Sequence, residues 1–333
     1  MRLFSAHLTW YEQEVRNMSK VPPAPVETSL DMIGNTPLLR LSRVVPEGHA
    51  KVYIKMESLN PTGSYKDRMA RSIIEEAEIR GDLKPGMTVV EATGGSTGSA
   101  LAFVCAVKGY KFDAVCSNCF ATEKLRTMTA LGSGLELIHS PSGKLTPDLF
   151  PKIKQRAKDL AAQPGVFAAD QFANRDAFIG YANLGRELVQ QLPSGIDSFC
   201  ACVGGGGMLM GVSKVLKPTY PHCRVVVLEP ASSPFITEGR AGTHGVEGVG
   251  NAFKLPLLDN NLYDEARAVP EEEGRAMCRR LAKEEGILVG TSTGLNVVAA
   301  IALAKELGVG KTVVTVACDT GLKYMSGPLF AEQ

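Results

Sequence analysis

The chain has 333 residues, of which 44% are hydrophobic and 21% charged, and its formal net charge is +1. This composition is typical of a soluble globular protein with one large or two smaller domains, and the charge gives no reason to expect a nucleic acid or an anionic membrane as partner. Apolar runs such as 100–107 and 297–303 are too short to span a bilayer, and the N-terminus lacks an apolar signal core, so we expect a cytoplasmic protein.

The first thirty residues are predicted to form a peripheral arm. Trp10 and Tyr11 precede a charged segment, which is followed by Val21-Pro22-Pro23-Ala24-Pro25. This proline-rich stretch can form neither a helix nor an inner strand. We expect the arm to lie over the body of the protein or over a partner subunit.

From Ile33 onwards the sequence alternates between strand and helix patterns. The predicted strands are 52–56, 88–91, 112–115, 135–138, 167–169, 198–203, 224–228, 287–289 and 313–317. The predicted helices are 69–79, 122–131, 176–191, 272–285 and 295–307, with others opening at Ser99 and after the glycines of 204–207. Strands that are almost continuously apolar, separated by amphipathic helices, indicate parallel sheets buried on both faces. The predicted fold class is therefore α/β.

The eight cysteines are scattered, mostly within apolar segments, as is typical of reduced cysteines in the cytosol. Cys116 and Cys119 form a Cys-x-x-Cys pair, but no second pair accompanies them. The pattern therefore does not favour a zinc or redox site, and no metal is predicted.

Lys66 stands just after the turn residues 60–63 and just before a predicted helix, with Ser64 as its candidate cap. A cation in the first turn of a helix is unusual, because the helix dipole favours anions there. The same field would lower the pKa of the amine and leave it nucleophilic, as an imine-forming lysine needs to be. The alternative is a solvated cluster of Lys, Asp and Arg charges.

Three loops at predicted strand ends carry unusual residues, and ligands gather at such ends in parallel sheets. Residues 93–98 are small and offer free amides that suit a carboxylate. Residues 204–208 are four glycines and a methionine before a helix, which suits a phosphate, although their spacing does not match a dinucleotide fingerprint. In 290–294, a hydroxyl held between flanking glycines could pair with a ring nitrogen. Taken singly, each loop could equally be a tight turn or a helix cap.

A lysine for an imine, a glycine cradle for a phosphate and a hydroxyl for a pyridine nitrogen together describe a pyridoxal phosphate site. The chain also resembles the fold-type II pyridoxal phosphate enzymes, specifically the cysteine synthase (O-acetylserine sulfhydrylase) and cystathionine β-synthase family. The resemblance runs from Ile33-Gly34-Asn35-Thr36-Pro37-Leu38 to about Tyr324 and is closest in Asn60-Pro61-Thr62-Gly63-Ser64-Tyr65-Lys66-Asp67-Arg68.

The resemblance implies two three-layer α/β domains of the tryptophan synthase β type and a homodimer. Residues 57–171 would form a small, mobile domain that binds the substrate carboxylate. Residues 1–56 and 172–333 would form the large domain that binds pyridoxal 5'-phosphate, with Lys66 in the cleft between the two.

The resemblance also assigns roles to individual residues. Lys66 would be both the Schiff-base lysine and the base that takes the Cα proton. The implied cofactor-binding residues are Lys66, Ser96, Gly204, Gly205, Gly206, Gly207, Met208 and Ser292. The implied substrate-binding residues are Thr93, Gly94, Gly95, Thr97 and Gln171.

Several positions depart from the family pattern. Gly94 replaces a serine of the carboxylate loop, and Ser96 replaces an asparagine that contacts the cofactor's ring oxygen. Gly205 and Met208 replace threonines of the phosphate loop, and residues 318–324 replace a motif that carries a Glu-Arg pair. These changes leave the leaving group and the nucleophile open.

The implied reaction is β-replacement on an O-activated L-serine, such as O-acetyl-L-serine. Loss of the β-substituent gives an α-aminoacrylate, to which a thiol, sulfide or other nucleophile adds, so that L-cysteine or a related β-substituted alanine is formed. The main alternative is net β-elimination, as in a serine/threonine dehydratase or a cysteine desulfhydrase. A non-catalytic binding subunit and a nicotinamide dehydrogenase are weaker alternatives.

Overall fold

The computed structural model describes residues 24–141, 148–251 and 253–331. Its strands are β1 Leu38–Leu41, β2 Lys51–Lys55, β3 Thr88–Ala92, β4 Lys111–Cys116, β5 Gly134–Leu137, β6 Val166–Ala168, β7 Ser198–Cys202, β8 Arg224–Pro230, β9 Glu265–Val269 and β10 Thr312–Val316. Its helices are α1 Lys66–Arg80, α2 Ser96–Lys108, α3 Thr122–Ala130, α4 Leu149–Ala161, α5 Ala177–Gln191, α6 Gly207–Thr219, α7 Phe235–Glu238, α8 Glu271–Arg280 and α9 Thr291–Leu307. Most of the predicted N-terminal arm, including Trp10 and Tyr11, lies outside the described residues, and its position stays a prediction.

The strands form two sheets, which confirms the α/β fold class. One sheet has the order β1-β2-β10-β7-β8-β9 and is parallel except for the antiparallel pair β1–β2. The other has the order β5-β4-β3-β6 and is parallel throughout. The second sheet is built from residues 88–168, which fall within the predicted small domain; the boundaries 57–171 and the mobility of that domain stay predictions.

The inner strands follow the predicted ranges closely, whereas one prediction is wrong. Residues 287–289 do not form a strand of either sheet, since only Val289 makes a single bridge, to Thr320. The segment follows a π-helical turn, Leu281–Glu285, and its backbone pairs with the loop near Gly321 instead of with a sheet. Val289 is buried in the core and Ile287 packs partly against it, whereas Leu288 is 40% exposed.

Two helices begin at different residues from those predicted. Helix α2 starts at Ser96 rather than Ser99, so Ser96 and Thr97 lie in its first turn and not in a loop. Helix α1 starts at Lys66 with Tyr65 as its N-cap residue, although the Ser64 hydroxyl does accept a 3.2 Å hydrogen bond from the Lys66 amide.

A buried charge network fixes α1 against α5. The Arg68 guanidinium donates two hydrogen bonds to each of two carboxylates, those of Glu57 and Glu187, at 2.6–2.8 Å. The Lys55 ammonium adds an ion pair to Glu187 at 2.7 Å. Although burial alone would raise the pKa of Glu187, these hydrogen bonds and charges lower it to about 2. Because Arg68 is two residues from Lys66, the network also fixes the start of the helix that carries Lys66.

Candidate active site

Lys66 lines a cavity between the start of α1 and the start of α6. The same cavity is lined by Tyr65, Tyr181 and Gln171 and by the glycine loop with its flanking residues, Cys202, Val203, Gly204, Gly205, Gly206, Gly207, Met208 and Leu209. Burial lowers the pKa of the Lys66 amine to about 8, while the groups of Cys318, Glu91 and Asp319 act in the opposite direction. The direction agrees with the prediction from the helix dipole, but removal of the ammonium from water is the main cause.

The glycine loop presents the start of α6 to this cavity. Gly206 is the N-cap residue and has φ of +85°, a conformation that glycine adopts without strain. A Cβ atom on Gly204 would lie 2.1 Å from the Gly248 carbonyl oxygen, so there the close neighbour is protein backbone. The first-turn amides of an α-helix have no partner within the helix, and the helix dipole adds positive potential. This end of α6 therefore suits an anion such as a phosphate.

The predicted carboxylate loop is joined to the cavity through Gln171. The Thr97 hydroxyl donates to the Gln171 side-chain oxygen at 2.6 Å. The Gln171 backbone amide donates to the buried Glu91 carboxylate at 3.1 Å. The Thr93 hydroxyl accepts from the amides of Gly95 and Gly98 at 3.4 and 3.1 Å, so it shapes the start of α2. Burial raises the pKa of Glu91 to about 7. The loop and the Lys66 cavity thus form one hydrogen-bonded unit.

Gly94 lies directly under an aromatic ring. A Cβ atom on Gly94 would lie 2.1 to 2.6 Å from three ring carbons of Phe120, a distance that requires the ring to move. Phe120 follows β4, whose carboxyl end lies beside that of β3, which leads into the loop. The absence of the serine side chain found in the family is therefore matched by a neighbour that occupies its space.

Ser96 contacts a lysine from the C-terminal segment. The Lys323 ammonium donates to the Ser96 hydroxyl at 3.2 Å. Burial lowers the pKa of Lys323, while Asp319 and Asp67 act in the opposite direction. The segment around Lys323, which departs from the family motif, thus places a cation on the first turn of α2.

Ser292 lies buried in the first turn of α9, with 5% of its surface exposed. It lies close to the Cys318 thiol, whose pKa burial raises to about 12. The carbonyl of Cys318 in turn accepts a 3.1 Å hydrogen bond from the Tyr65 amide. Ser292 is therefore connected to the residue that precedes Lys66.

The donors around this cavity fit a pyridine aldehyde that carries a phosphate. They comprise an amine of low pKa at one end and a glycine-lined helix start at the other. Tyr181, whose buried hydroxyl has no hydrogen-bond partner among the described residues, lines the same cavity. Lys66 could hold the aldehyde, the start of α6 the phosphate, and Ser292 the ring nitrogen.

The structure brings Lys66, Gln171 and the glycine loop around one cavity, and it connects Thr97 to them through Gln171. It places Ser96 against Lys323 and Ser292 against Cys318, one contact further away. The sequence analysis missed Tyr181, Phe120 and Lys323. A tyrosine on the buried apolar face of α5 is the one signal that could have been noticed, because its hydroxyl requires a partner.

Other sites are not evident in the described residues. All eight cysteines are free thiols, and no cluster of three His, Cys, Asp or Glu side chains within 24–141, 148–251 and 253–331 could hold a metal ion. Over the same ranges, none of the helices is both long and apolar enough to cross a membrane.

Known proteins are similar to this chain over most of its length. Residues 30–319 match the family model described as "Pyridoxal-phosphate dependent enzyme". The chain is 43% identical to a cysteine synthase of Staphylococcus aureus over 92% of this chain and 98% of the relative. It is 37% identical to O-ureido-L-serine synthase of Streptomyces lavendulae over 90% and 91% of the two chains. The solved structure of O-acetyl serine sulfhydrylase isoform 3 from Entamoeba histolytica has a TM-score of 0.88 and 30% identity, with 94% of each chain covered.

The chain therefore belongs to the pyridoxal-phosphate dependent enzyme family, with the fold-type II architecture. It is a cysteine synthase-like enzyme that uses pyridoxal 5'-phosphate.

Proposed function

We propose that this enzyme catalyses β-replacement on an O-activated L-serine, such as O-acetyl-L-serine, to give L-cysteine or a related β-substituted alanine. The observation that carries the proposal is the Lys66 amine, with a pKa of about 8, in one cavity with the glycine loop and Gln171. Relatives named cysteine synthase and O-ureido-L-serine synthase support a substituted serine as reactant or product.

Each residue has a proposed task. When bound, pyridoxal 5'-phosphate supplies an aldehyde for an amine and an electron-withdrawing ring. Lys66 takes the proton from the substrate Cα, which an amine with a pKa near 8 can do close to neutral pH. The amides of residues 94–97, with Thr93 and Thr97, hold the α-carboxylate.

The remaining tasks concern orientation and exclusion of water. Gln171, held by Thr97 and Glu91, orients the substrate at the cavity wall. The Ser292 hydroxyl faces the ring nitrogen. Because this hydroxyl carries no charge, the site favours rapid loss of the β-substituent. Closure of the proposed small domain excludes water from the reacting carbon.

Product analysis tests the proposal. The enzyme is incubated with O-acetyl-L-serine and other O-substituted serines, each with and without sulfide or another nucleophile. Formation of a β-substituted alanine only when a nucleophile is present supports replacement, whereas equal amounts of pyruvate with and without sulfide would establish β-elimination instead. Lys66→Ala should abolish turnover, and Lys84→Ala, at an exposed lysine, should not. Turnover by Lys66→Ala at the parental rate would refute the assignment.

We also propose that the enzyme is a cytoplasmic homodimer, as the family resemblance implies. Sedimentation equilibrium of the purified enzyme would test the assembly, and a mass of one chain, 35.5 kDa, would contradict it.

A further inference from the structure

Tyr181 is a buried tyrosine whose hydroxyl is not hydrogen-bonded to any of the described residues. Tyr181 belongs to α5 and only 1% of its surface is exposed. Its hydroxyl oxygen is buried and has no hydrogen-bond partner in the part of the chain that the structure describes. A buried phenol without a partner is costly, because it has lost its hydrogen bonds to water and gained none. A buried tyrosine usually pairs its hydroxyl, so the orphan indicates a missing partner.

The orientation of the side chain indicates where that partner lies. Helices α5 and α6 pack closely, and a Cβ atom on Gly211 would lie 2.6 Å from the Tyr181 Cβ. One turn towards the start of α6, a Cβ atom on Gly207 would lie 3.5 Å from the ring carbon Cε2. The ring therefore runs along α6 towards its N-terminus, and the hydroxyl extends from the ring in the same direction. Tyr181 also lines the cavity that contains Lys66 and the glycine loop.

The glycine loop itself lacks hydroxyl groups. Residues 204–208 are four glycines and a methionine, so the loop offers backbone amides only. A hydroxyl that arrives from α5 would supply a side-chain donor at the same anion site. Burial raises the pKa of Tyr181 well above its ordinary value, so the phenol remains protonated and able to donate.

We propose that Tyr181 is a cofactor-binding residue, whose hydroxyl donates a hydrogen bond to the phosphate of pyridoxal 5'-phosphate. The inference rests on the proposed position of that phosphate at the glycine loop.

The test compares two cofactor forms and two tyrosine variants. Tyr181→Phe removes only the hydroxyl; Tyr220→Phe is the matched control, because the Tyr220 hydroxyl donates to the Leu192 carbonyl at the far end of α6. Cofactor-free parent and variants are titrated with pyridoxal 5'-phosphate and with pyridoxal, which lacks the phosphate, and visible absorbance reports binding. The ³¹P resonance of the bound phosphate is recorded in each holoenzyme.

We expect Tyr181→Phe to weaken binding of pyridoxal 5'-phosphate about ten- to a hundredfold, as for a hydrogen bond to a charged group, with pyridoxal binding unchanged and the ³¹P resonance shifted. Tyr220→Phe should alter none of these. If Tyr181→Phe keeps both the parental affinity for pyridoxal 5'-phosphate and the parental ³¹P resonance, this inference is overturned but the proposed function is not. An equal loss for both cofactor forms would also overturn it, because it would indicate a structural role. A parent protein that binds neither compound would overturn the proposed function as well.

Discussion

The protonation of Lys66 gives the most direct test of the site. Its amine has a pKa of about 8, lowered from 10.5 chiefly by burial. At pH 7 such an amine is about one-tenth unprotonated, whereas a solvated lysine is unprotonated in about one molecule in 3,000. The buried amine therefore offers about 300 times more nucleophile at that pH.

The assay is the rate at which cofactor-free enzyme captures pyridoxal 5'-phosphate, followed by visible absorbance from pH 6 to 10 in steps of about half a unit. Since only the unprotonated amine attacks, the rate should rise about tenfold per pH unit below the pKa and level off above about 8. A rate that continues to rise towards pH 10 would show that the amine is solvated, and the argument from burial would be wrong.

A substitution at Glu91 tests the electrostatic contribution to the pKa of Lys66. The Glu91 carboxylate acts to raise the pKa of Lys66, and its own pKa of about 7 leaves it largely ionised above neutrality. Glu91→Gln should therefore move the midpoint of the capture rate to lower pH. A midpoint that moves upwards would contradict the electrostatic assignment.

Two further substitutions test the supports of the site. Arg68→Met should lower the free energy of unfolding by about 3–5 kcal/mol in urea denaturation, because it leaves the buried Glu57 carboxylate without its ion-pair partner and leaves Glu187 with Lys55 alone. Arg80→Met, at an exposed ion pair, should lower the free energy of unfolding by about 1 kcal/mol or less. Equal losses of stability in the two variants would contradict the contrast between a buried and an exposed ion pair. Gly94→Ser should raise the KM for the amino-acid substrate about tenfold or more, since its side chain meets the Phe120 ring. Adding Phe120→Ala should recover most of that loss, and a double variant no better than Gly94→Ser would disprove the coupling.

The sequence predicted the inner strands of both sheets and the edge strands of the smaller sheet, but it missed the edge strands of the larger sheet. Strands such as β7, whose five residues are all buried, are apolar along their whole length and therefore easy to recognise. Strands β1 and β9, at the two edges of the larger sheet, were missed, whereas β5 and β6, which are no better buried, were predicted, so partial burial alone does not explain the difference. Residues 287–289 show the reverse error, because an apolar run indicates burial and does not by itself indicate strand pairing.

The residues nearest in sequence to a recognisable motif were also the easiest to predict. Lys66 and the glycine loop are short contiguous signals, and the structure places them around one cavity. Tyr181 escaped prediction because its relation to that cavity depends on how closely α5 packs on α6, which Gly185 and Gly211 permit. Helix packing of this kind cannot be obtained from spacing along one chain.

The departures from the family pattern are therefore best understood as pairs of residues. The space of the missing serine side chain at Gly94 is filled by Phe120, and the shorter Ser96 is met by Lys323. In each pair the second residue, Phe120 or Lys323, lies outside the loop. The change at Gly94 or Ser96, considered alone, therefore indicates a lost contact, whereas the structure shows a neighbour at the same place. The identity of the β-substituent should thus depend on Phe120 and Lys323 as much as on the loop itself, and exchanging loop residues alone should not convert this enzyme to the specificity of a relative.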